Sequence, residues 1–499
     1  MKNNAYEQVF QEAYGQLNAG QRAAVDQLDG PVMVIAGPGT GKTQILSAHI
    51  GKILLETDVY PENILCLTYT DAGAVAMRKR LLSFIGPDAY KVNISTFHAF
   101  CNDIIQDNLH LFEKNTLEAV SDLESITLFR ELIDTFPKDH ALKRYRGDVY
   151  YEINNLKYLF STIKREGWNP AHIIIRVDEY VSMLENLTAD DPDADEKLKK
   201  ELFYQNSRAG KWTRGDRKPA YYLLLEKMEK LRAAVAEFEP FQELMRKHNR
   251  YDFDDMINWV IRAFKENAGL LATYQEKFQY VLVDEYQDTS GSQNKLIRLL
   301  LSHWDESPNI FVVGDDDQSI YRFQGANIDN LVSFAGSYRD SLRTIVLTDN
   351  YRSTQPILDT SKRLIDRNGE RLVKKLEGLS KELVAANEKL KNLEHLPVVR
   401  QYPTQKEEMI DLTLRVEVLL AQGVQPGRIA IIYKENKYGT ELARYFTLRQ
   451  LPFYSKRSLN LLQMPLARQI ILVLQYIAAE HDIPFGGDEM LFEILHFEW

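Results

Sequence analysis

Cysteine is almost absent: Cys66 and Cys101 are the whole supply in 499 residues. Two thiols cannot build a disulfide framework or, alone, a metal site, which points to a reducing compartment. Long apolar runs are missing too. The longest, 470–479, is interrupted by Gln475 and falls far short of the ~20 residues that a membrane-spanning helix needs. The N-terminal MKNNAYEQVFQEAYG lacks the apolar centre of a secretory leader. A cytoplasmic protein with no membrane partner is the expectation. There is no internal repeat and no low-complexity tract. Positive charge is not in excess either, because the net charge is −10. That argues only weakly against nucleic acid, since binding depends on where the basic residues sit.

Apolar residues at 44% and charged residues at 26% are the balance of a globular chain able to bury large cores. At roughly 100–200 residues per domain, the length implies three or four domains. Residues 178–196 hold eight acidic side chains and no basic one, and residues 197–232 hold eleven basic and four acidic. Solvated helix faces explain most such runs. Trp212, inside GKWTRGDRK, adds an aromatic ring that could stack on a base.

Short apolar runs read as buried parallel strands: VMVIA (32–36), ILCLT (64–68), VNIST (92–96), YVLVD (280–284), NIFVVGD (309–315), TIVLT (344–348) and IAIIY (429–433). Most precede a loop and a helical pattern, so the fold class is α/β with a doubly wound parallel sheet. The stretch 106–249 is helix-rich and reads as an all-helical domain inserted into a first α/β domain of 1–105 and 250–344. A second α/β unit begins near 345 and runs to about 480, with 481–499 starting a further helical segment. Leucines at helical spacing in 376–396 predict an exposed amphipathic helix.

The strongest local signal is VMVIAGPGTGKTQILSAHI, a strand entering a Gly-rich loop that opens a helix. In such a loop, Gly37, Pro38, Gly39, Thr40 and Gly41 let backbone N–H groups wrap phosphate oxygens, and the helix N-terminus adds partial positive charge. Lys42 would reach the β/γ-phosphates, and the Thr43 hydroxyl would bind Mg²⁺. YVLVDEYQDTS delivers Asp284 and Glu285 at a strand end. One carboxylate can hold the metal and the next can orient and deprotonate a water. FVVGDDDQSIYRFQGA ends a strand in three aspartates and Gln318, a polar group placed to sense a γ-phosphate. No catalytic role is assigned to Asp315, Asp316 or Asp317. In LTDNYRSTQPI, Arg352 follows a strand and could serve as an arginine finger. Alone, that motif would read as a surface salt bridge.

Eight segments in order, LNAGQRAAV, AGPGTGKT, LTYTDAGAVAMRKRL, STFHAFC, YDFDDM, DEYQDTS, VGDDDQSIYRFQGA and NYRST, resemble the Q motif and motifs I to IV of superfamily I helicases of UvrD/Rep/PcrA type. The resemblance covers 17–354 and continues more weakly to about 480. It implies RecA-like domains with ATP and Mg²⁺ bound in the cleft between two of them. It implies that Gln21 reads the adenine edge, Tyr351 stacks on the adenine beside Arg352, Asp284 ligates Mg²⁺ with Thr43, Glu285 is the base, and Gln318 couples the γ-phosphate to the DNA track. Gln44 joins the nucleotide set. Tyr69, Thr70, His98, Tyr321 and Phe323 match positions that touch single-stranded DNA, with core packing as the alternative for Tyr69 and His98.

The implied activity is an ATP-dependent helicase or translocase moving 3′ to 5′ on single-stranded DNA, separating duplex in repair or recombination alongside other proteins of those processes. The rivals are the motor subunit of a RecB-like helicase–nuclease and an ATP-dependent DNA-binding switch without unwinding. Gln44 and Gln324 stand where relatives carry arginine, and TYTDAGA replaces the usual TFTNKAA. A KGLE-type motif and a second arginine motif are missing, so the chain reads as the front portion of a longer protein.

Overall fold

A computed structural model of the chain describes residues 4–112, 117–143, 147–304, 307–319, 329–369, 371–375, 379–455 and 464–497. The backbone divides into two compact units, Met1–Pro397 and Val398–Trp499.

Among its described residues the first unit has ten short strands: β1 Val32–Ala36, β2 Ile64–Thr68, β3 Asn93–Thr96, β4 Glu118–Ala119, β5 Arg250–Tyr251, β6 Tyr280–Val283, β7 Ile310–Gly314, β8 Arg343–Leu347, β9 Asp349–Asn350 and β10 Val384–Ala385. Six form one sheet in the order β3-β2-β6-β7-β1-β8, and every pairing is parallel. The strand ends that follow β1, β2, β6 and β7 therefore lie along one edge, where ligands of open α/β sheets bind. Helices cover both faces, so β1, β2, β6 and β7 are buried at every residue. Alternate side chains serve opposite faces. Met33, Ile35, Leu65 and Leu67 join the core shared with the helices Phe97–Asp107 and Phe253–Glu266. Val32, Val34, Ile64 and Cys66 join the core under the helices Lys42–Glu56 and Asp71–Ile85.

The segment between β4 and β5 is mainly helical among the described residues, with cores of its own around Phe129, Phe160 and Phe241 and around Leu184, Phe203 and Tyr221. The pairing of β4 with β5 joins its two ends at the base. Its helix Ile153–Glu166 docks on Phe253–Glu266 through buried Lys164, which meets Asp252 at 2.6 Å and Asp255 at 2.8 Å. Burial works against the Lys164 charge, but the two carboxylates outweigh it and hold its pKa above the usual lysine value.

Three expectations are corrected. TIVLT does not open a second sheet: β8 pairs with β1, and Ile345 and Leu347 enter the same core as Val32 and Val34. Residues 379–396 contain no helix, because β10 is held extended against β9 and Lys381 is buried. IAIIY forms no strand: it runs irregularly, with Ile432 95% exposed.

The second unit is helical among the described residues, with Gln405–Ala421, Asn436–Leu448, Pro465–Asp482 and Asp488–Ile494. Its core is small: Met409, Val416, Leu442 and Phe446.

Candidate functional site

The loop leaving β1 is shaped by its glycines. Gly39 and Gly41 take φ of 72° and 92°, in the left-handed region that side chains disfavour. Space is as restrictive as torsion. A Cβ on Gly37 would sit 2.6 Å from Leu383 Cδ2, one on Gly39 would sit 2.7 Å from Arg352 Cβ, and one on Gly41 would sit 2.9 Å from Gln21 Nε2. The Thr40 hydroxyl donates to Gly37 O at 2.8 Å and tightens the loop. The helix starting at Lys42 then aims its first N–H groups at the concave side.

Lys42 Nζ lies 2.6 Å from Glu285 Oε2, so the lysine and the carboxylate face one another across the loop. Asp284 directly follows β6, and its N–H donates to Leu67 O at 2.9 Å. Burial, reinforced by Glu285 and eased by Lys42, raises its pKa to about 6. A buried acid held against its charge is what a divalent cation would stabilise. Glu285 sits at φ 49°, ψ 45°, a left-handed conformation rare outside glycine. Such strain concentrates at functional positions. These features fit ATP with Mg²⁺: Asp284 and Thr43 as cation ligands and Lys42 facing phosphate.

Gln21 and Asn18 form a reciprocal cap, with Gln21 N donating to Asn18 Oδ1 at 2.7 Å and Asn18 N donating to Gln21 Oε1 at 3.1 Å. Gln21 Nε2 donates to Thr40 O at 2.8 Å, which ties it to the loop. Asn18 Nδ2 donates to the Tyr351 hydroxyl at 3.0 Å. Tyr351 N donates to Gly39 O at 2.9 Å, and its ring is 37% exposed. Arg352 is exposed, and no carboxylate pairs with it among the described residues, so the salt-bridge alternative finds no partner. Gln44 lies in the first turn of the loop's helix. Gln318 donates from Nε2 to Asp315. Tyr321, Phe323 and Gln324 lie outside the described residues.

Several residues of this neighbourhood had no role in the sequence reading. Asn350 is fully buried; it donates to Pro38 O and accepts from Arg352 N at 2.9 Å and Ser353 N at 2.7 Å. It joins the glycine loop to the Tyr351–Arg352 turn, and its position inside NYRST was the available signal. Gln287 is 1% exposed; its amide donates to Glu285 Oε2 at 2.9 Å and to Asp288 at 3.1 Å. Lys381 and Arg371 sit on the three aspartates after β7. No periodicity or motif marked either.

Beside this lies a hollow of about 240 Å³ lined by Tyr69, His98, Arg165, Asp254, Asp288 and Gln293, among others. Tyr69 and His98 are partly exposed and belong to no core cluster. Thr70 caps the helix Asp71–Ile85 by accepting from Gly73 N at 3.1 Å. Asp288 Oδ1 is buried with no hydrogen-bond partner among the described residues. Burial and Glu285 raise the Asp288 pKa to about 6. Phe253, missed by the sequence reading, is 61% exposed and stands edge-to-face with His98 at 6.4 Å. Trp212 lies elsewhere, stacked on Tyr204 at 4.5 Å with Arg208 at 5.5 Å over its ring. The oppositely charged runs partly neutralise one another there, through Arg214–Asp190 at 2.7 Å and Arg232–Asp178 at 3.0 Å.

Comparison with known proteins agrees with this geometry. Residues 17–339 match the UvrD/REP helicase N-terminal domain, and 345–484 match the UvrD-like helicase C-terminal domain. The chain is 30% identical to an ATP-dependent DNA helicase PcrA of Leuconostoc citreum over 362 residues, 72% of this chain and 40% of that protein. It is 27% identical over 472 residues to proteins of the same name from Staphylococcus aureus and Staphylococcus epidermidis, 93% of this chain and 54% of theirs. The chain thus spans about half the length of these relatives or less. A glycine loop, paired strand-end carboxylates and both halves of the family pattern occur in one chain, which belongs to the UvrD/REP helicase family.

Proposed function

We propose that this chain is the ATP-hydrolysing, DNA-gripping part of a helicase that moves 3′ to 5′ along single-stranded DNA and separates duplex in repair or recombination. The polarity and the process come from the family resemblance. In this reading 1–105 with 250–344 is the first RecA-like domain, its sheet completed by β8 as far as Leu347, 106–249 is the helical insertion, and the chain beyond Leu347 to about 480 is part of a second RecA-like domain, with 481–499 starting a further helical segment. In this reading the protein works in the cytoplasm.

The observation that carries the reading is the Lys42–Glu285 pair beside buried Asp284, against a loop whose Gly39 and Gly41 take the left-handed backbone that side chains disfavour. Lys42 is placed to leave Glu285 for phosphate oxygens, which frees Glu285 to take a proton from a water. Bound Mg²⁺ would neutralise charge that develops on the phosphate oxygens. Tyr351 offers a flat face to a base, and Arg352 a cation without a carboxylate partner among the described residues. Gln287 bridges Glu285 and Asp288, so the hydrolytic carboxylate is one side chain away from the Tyr69–His98 hollow. Tyr69, His98 and exposed Phe253 suit sequence-independent contact with unstacked bases.

The test is Lys42→Ala, with ATP turnover measured with and without single-stranded DNA. The expected outcome is loss of hydrolysis with an unchanged melting temperature, because Lys42 packs against a loop rather than a core. Wild-type turnover at saturating ATP would overturn the assignment.

A further inference from the structure

The turn after β7 poses a problem of charge. Asp315, Asp316 and Asp317 follow one another, and the first two side chains are 0% exposed. Buried carboxylates need cations and donors of their own, because burial removes the water that would otherwise stabilise them. The three lie close enough to share a metal ion. That place is taken by a side chain. Lys381 Nζ, 2% exposed, contacts Asp315 Oδ1, Asp316 Oδ1 at 2.9 Å and Asp317 Oδ2 at 3.0 Å. Arg371 grips Asp317 by two parallel bonds of 2.7 and 2.8 Å. Leu372 N donates to Asp316 Oδ2 at 2.8 Å.

This arrangement has a consequence for Gln318. Lys381 and the Asp317 N–H, at 3.2 Å, occupy Asp315 Oδ1. Asp315 Oδ2 is then the acceptor for Gln318 Nε2. A carboxylate only accepts, so this bond fixes which end of the Gln318 amide is nitrogen and turns its carbonyl away from Asp315. The Asp315 N–H also donates to Gln287 Oε1 at 2.9 Å, and Gln287 holds Glu285. Gln318 and Glu285 are therefore set in register through Asp315 and Gln287. Lys381 lies just before Leu383, which packs on Gly37, and before β10, which pairs with Asp349–Asn350 next to Tyr351 and Arg352.

We propose that Lys381 is a positioning residue that orients Gln318 through Asp315 and links it to the chain segment carrying Tyr351 and Arg352. The inference rests on Gln318 reading the γ-phosphate. Without Lys381, three carboxylates share one cation, Asp315 must move, and the Gln318 amide loses its fixed direction. The glycine loop, Gln21 and Tyr351 are held to one another by bonds of their own, Thr40 to Gly37, Gln21 to Thr40 and Tyr351 to Gly39, so the diphosphate should bind as before.

The experiment measures equilibrium binding of ADP and of AMP-PNP, both with Mg²⁺, by displacement of a fluorescent nucleotide from the 499-residue chain. Wild type is compared with Lys381→Met, Lys381→Arg and Gln318→Ala. The wild type should prefer AMP-PNP. Lys381→Met and Gln318→Ala should each lose about tenfold or more of that preference, with ADP affinity held within about twofold. Lys381→Arg, which keeps the cation, should restore part of it. If Lys381→Met fails to fold, the double variant Lys381→Met/Asp316→Asn removes one charge of each sign and should show the same selective loss. Lys381→Met, or the folded double variant, with an intact preference would overturn the inference, as would parallel losses for both nucleotides. In those cases a selective loss in Gln318→Ala leaves the reading of Gln318 standing. An unaltered preference in Gln318→Ala, or a wild type without one, would remove that reading and the inference with it.

Discussion

Residues 32–36 and 429–433, VMVIA and IAIIY, are both unbroken apolar runs rich in β-branched side chains. The first is a strand buried at every position, hydrogen-bonded on one side to β7 and on the other to β8. The second has no ladder partner among the described residues. Ile429 and Ile431 lean on the small core of the second unit, while Ile432 faces solvent. The alternation of a half-covered strand is present without the strand. Apolar, β-branched sequence supplies the side chains for a strand, but its backbone N–H and C=O groups need neighbours on either side. The same contrast runs through the two units. Leu65, Val34 and Val283 are fully buried in the first, whereas Leu466, Leu474 and Ile477 remain exposed on a helix of the second.

The largest expected effect of this contrast is on stability. Leu65→Ala should destabilise the first unit by roughly 2–5 kcal/mol, the range for emptying a packed leucine site. Urea unfolding followed by far-ultraviolet dichroism measures it, and a loss below about 1 kcal/mol would break the distinction drawn here. A buried charge should act with the opposite sign. Asp284 titrates near 6 in the folded chain against 3.8 ordinarily, so its ionisation costs stability as pH rises through that window. Asp284→Asn should therefore stabilise the protein by roughly 2–3 kcal/mol above about pH 7, with the gain fading towards about pH 4. Thermal melts at both pH values check this, and hydrolysis should be lost together with the cation ligand. At the exposed edge of the hollow, Phe253→Ala should weaken single-stranded DNA binding by roughly 1–3 kcal/mol with nucleotide affinity unchanged. A fluorescence titration reads it, and unaltered DNA affinity would make Phe253 a bystander. The smallest effect is expected at Ile432→Ala, within about 0.5 kcal/mol of wild type, because its side chain has little burial to lose. A larger loss would mean that 429–433 is covered after all.

The main sheet and its chemistry were legible because each depends on contiguous residues. A buried parallel strand shows as an unbroken apolar run, and a phosphate loop as glycines between a strand and a helix. Lys42, Asp284, Glu285 and Arg352 stood out as candidates for that reason, Tyr351 only through the family resemblance, and the structure brings their loops together. The spacing in 376–396 misled. Leucine periodicity says what a helix would bury, but β10 is held extended by Asp349–Asn350, about 35 residues earlier in the chain.

Chain order, the apolar runs able to become strands and the residue types available to bind phosphate follow from local sequence, since backbone geometry and glycine freedom act over a few residues. Which strands pair, and which ions meet, was decided by contacts between distant segments. β8 joined the first sheet because Ile345 and Leu347 complete the core around Val34. Gln287, Asn350, Arg371 and Lys381 gained their roles the same way. Lys381 is an ordinary lysine in sequence and becomes a buried cation only because three carboxylates some 65 residues away end their strand beside it. Burial makes each of those charges dependent on its partner, and no reading along the chain contains that dependence.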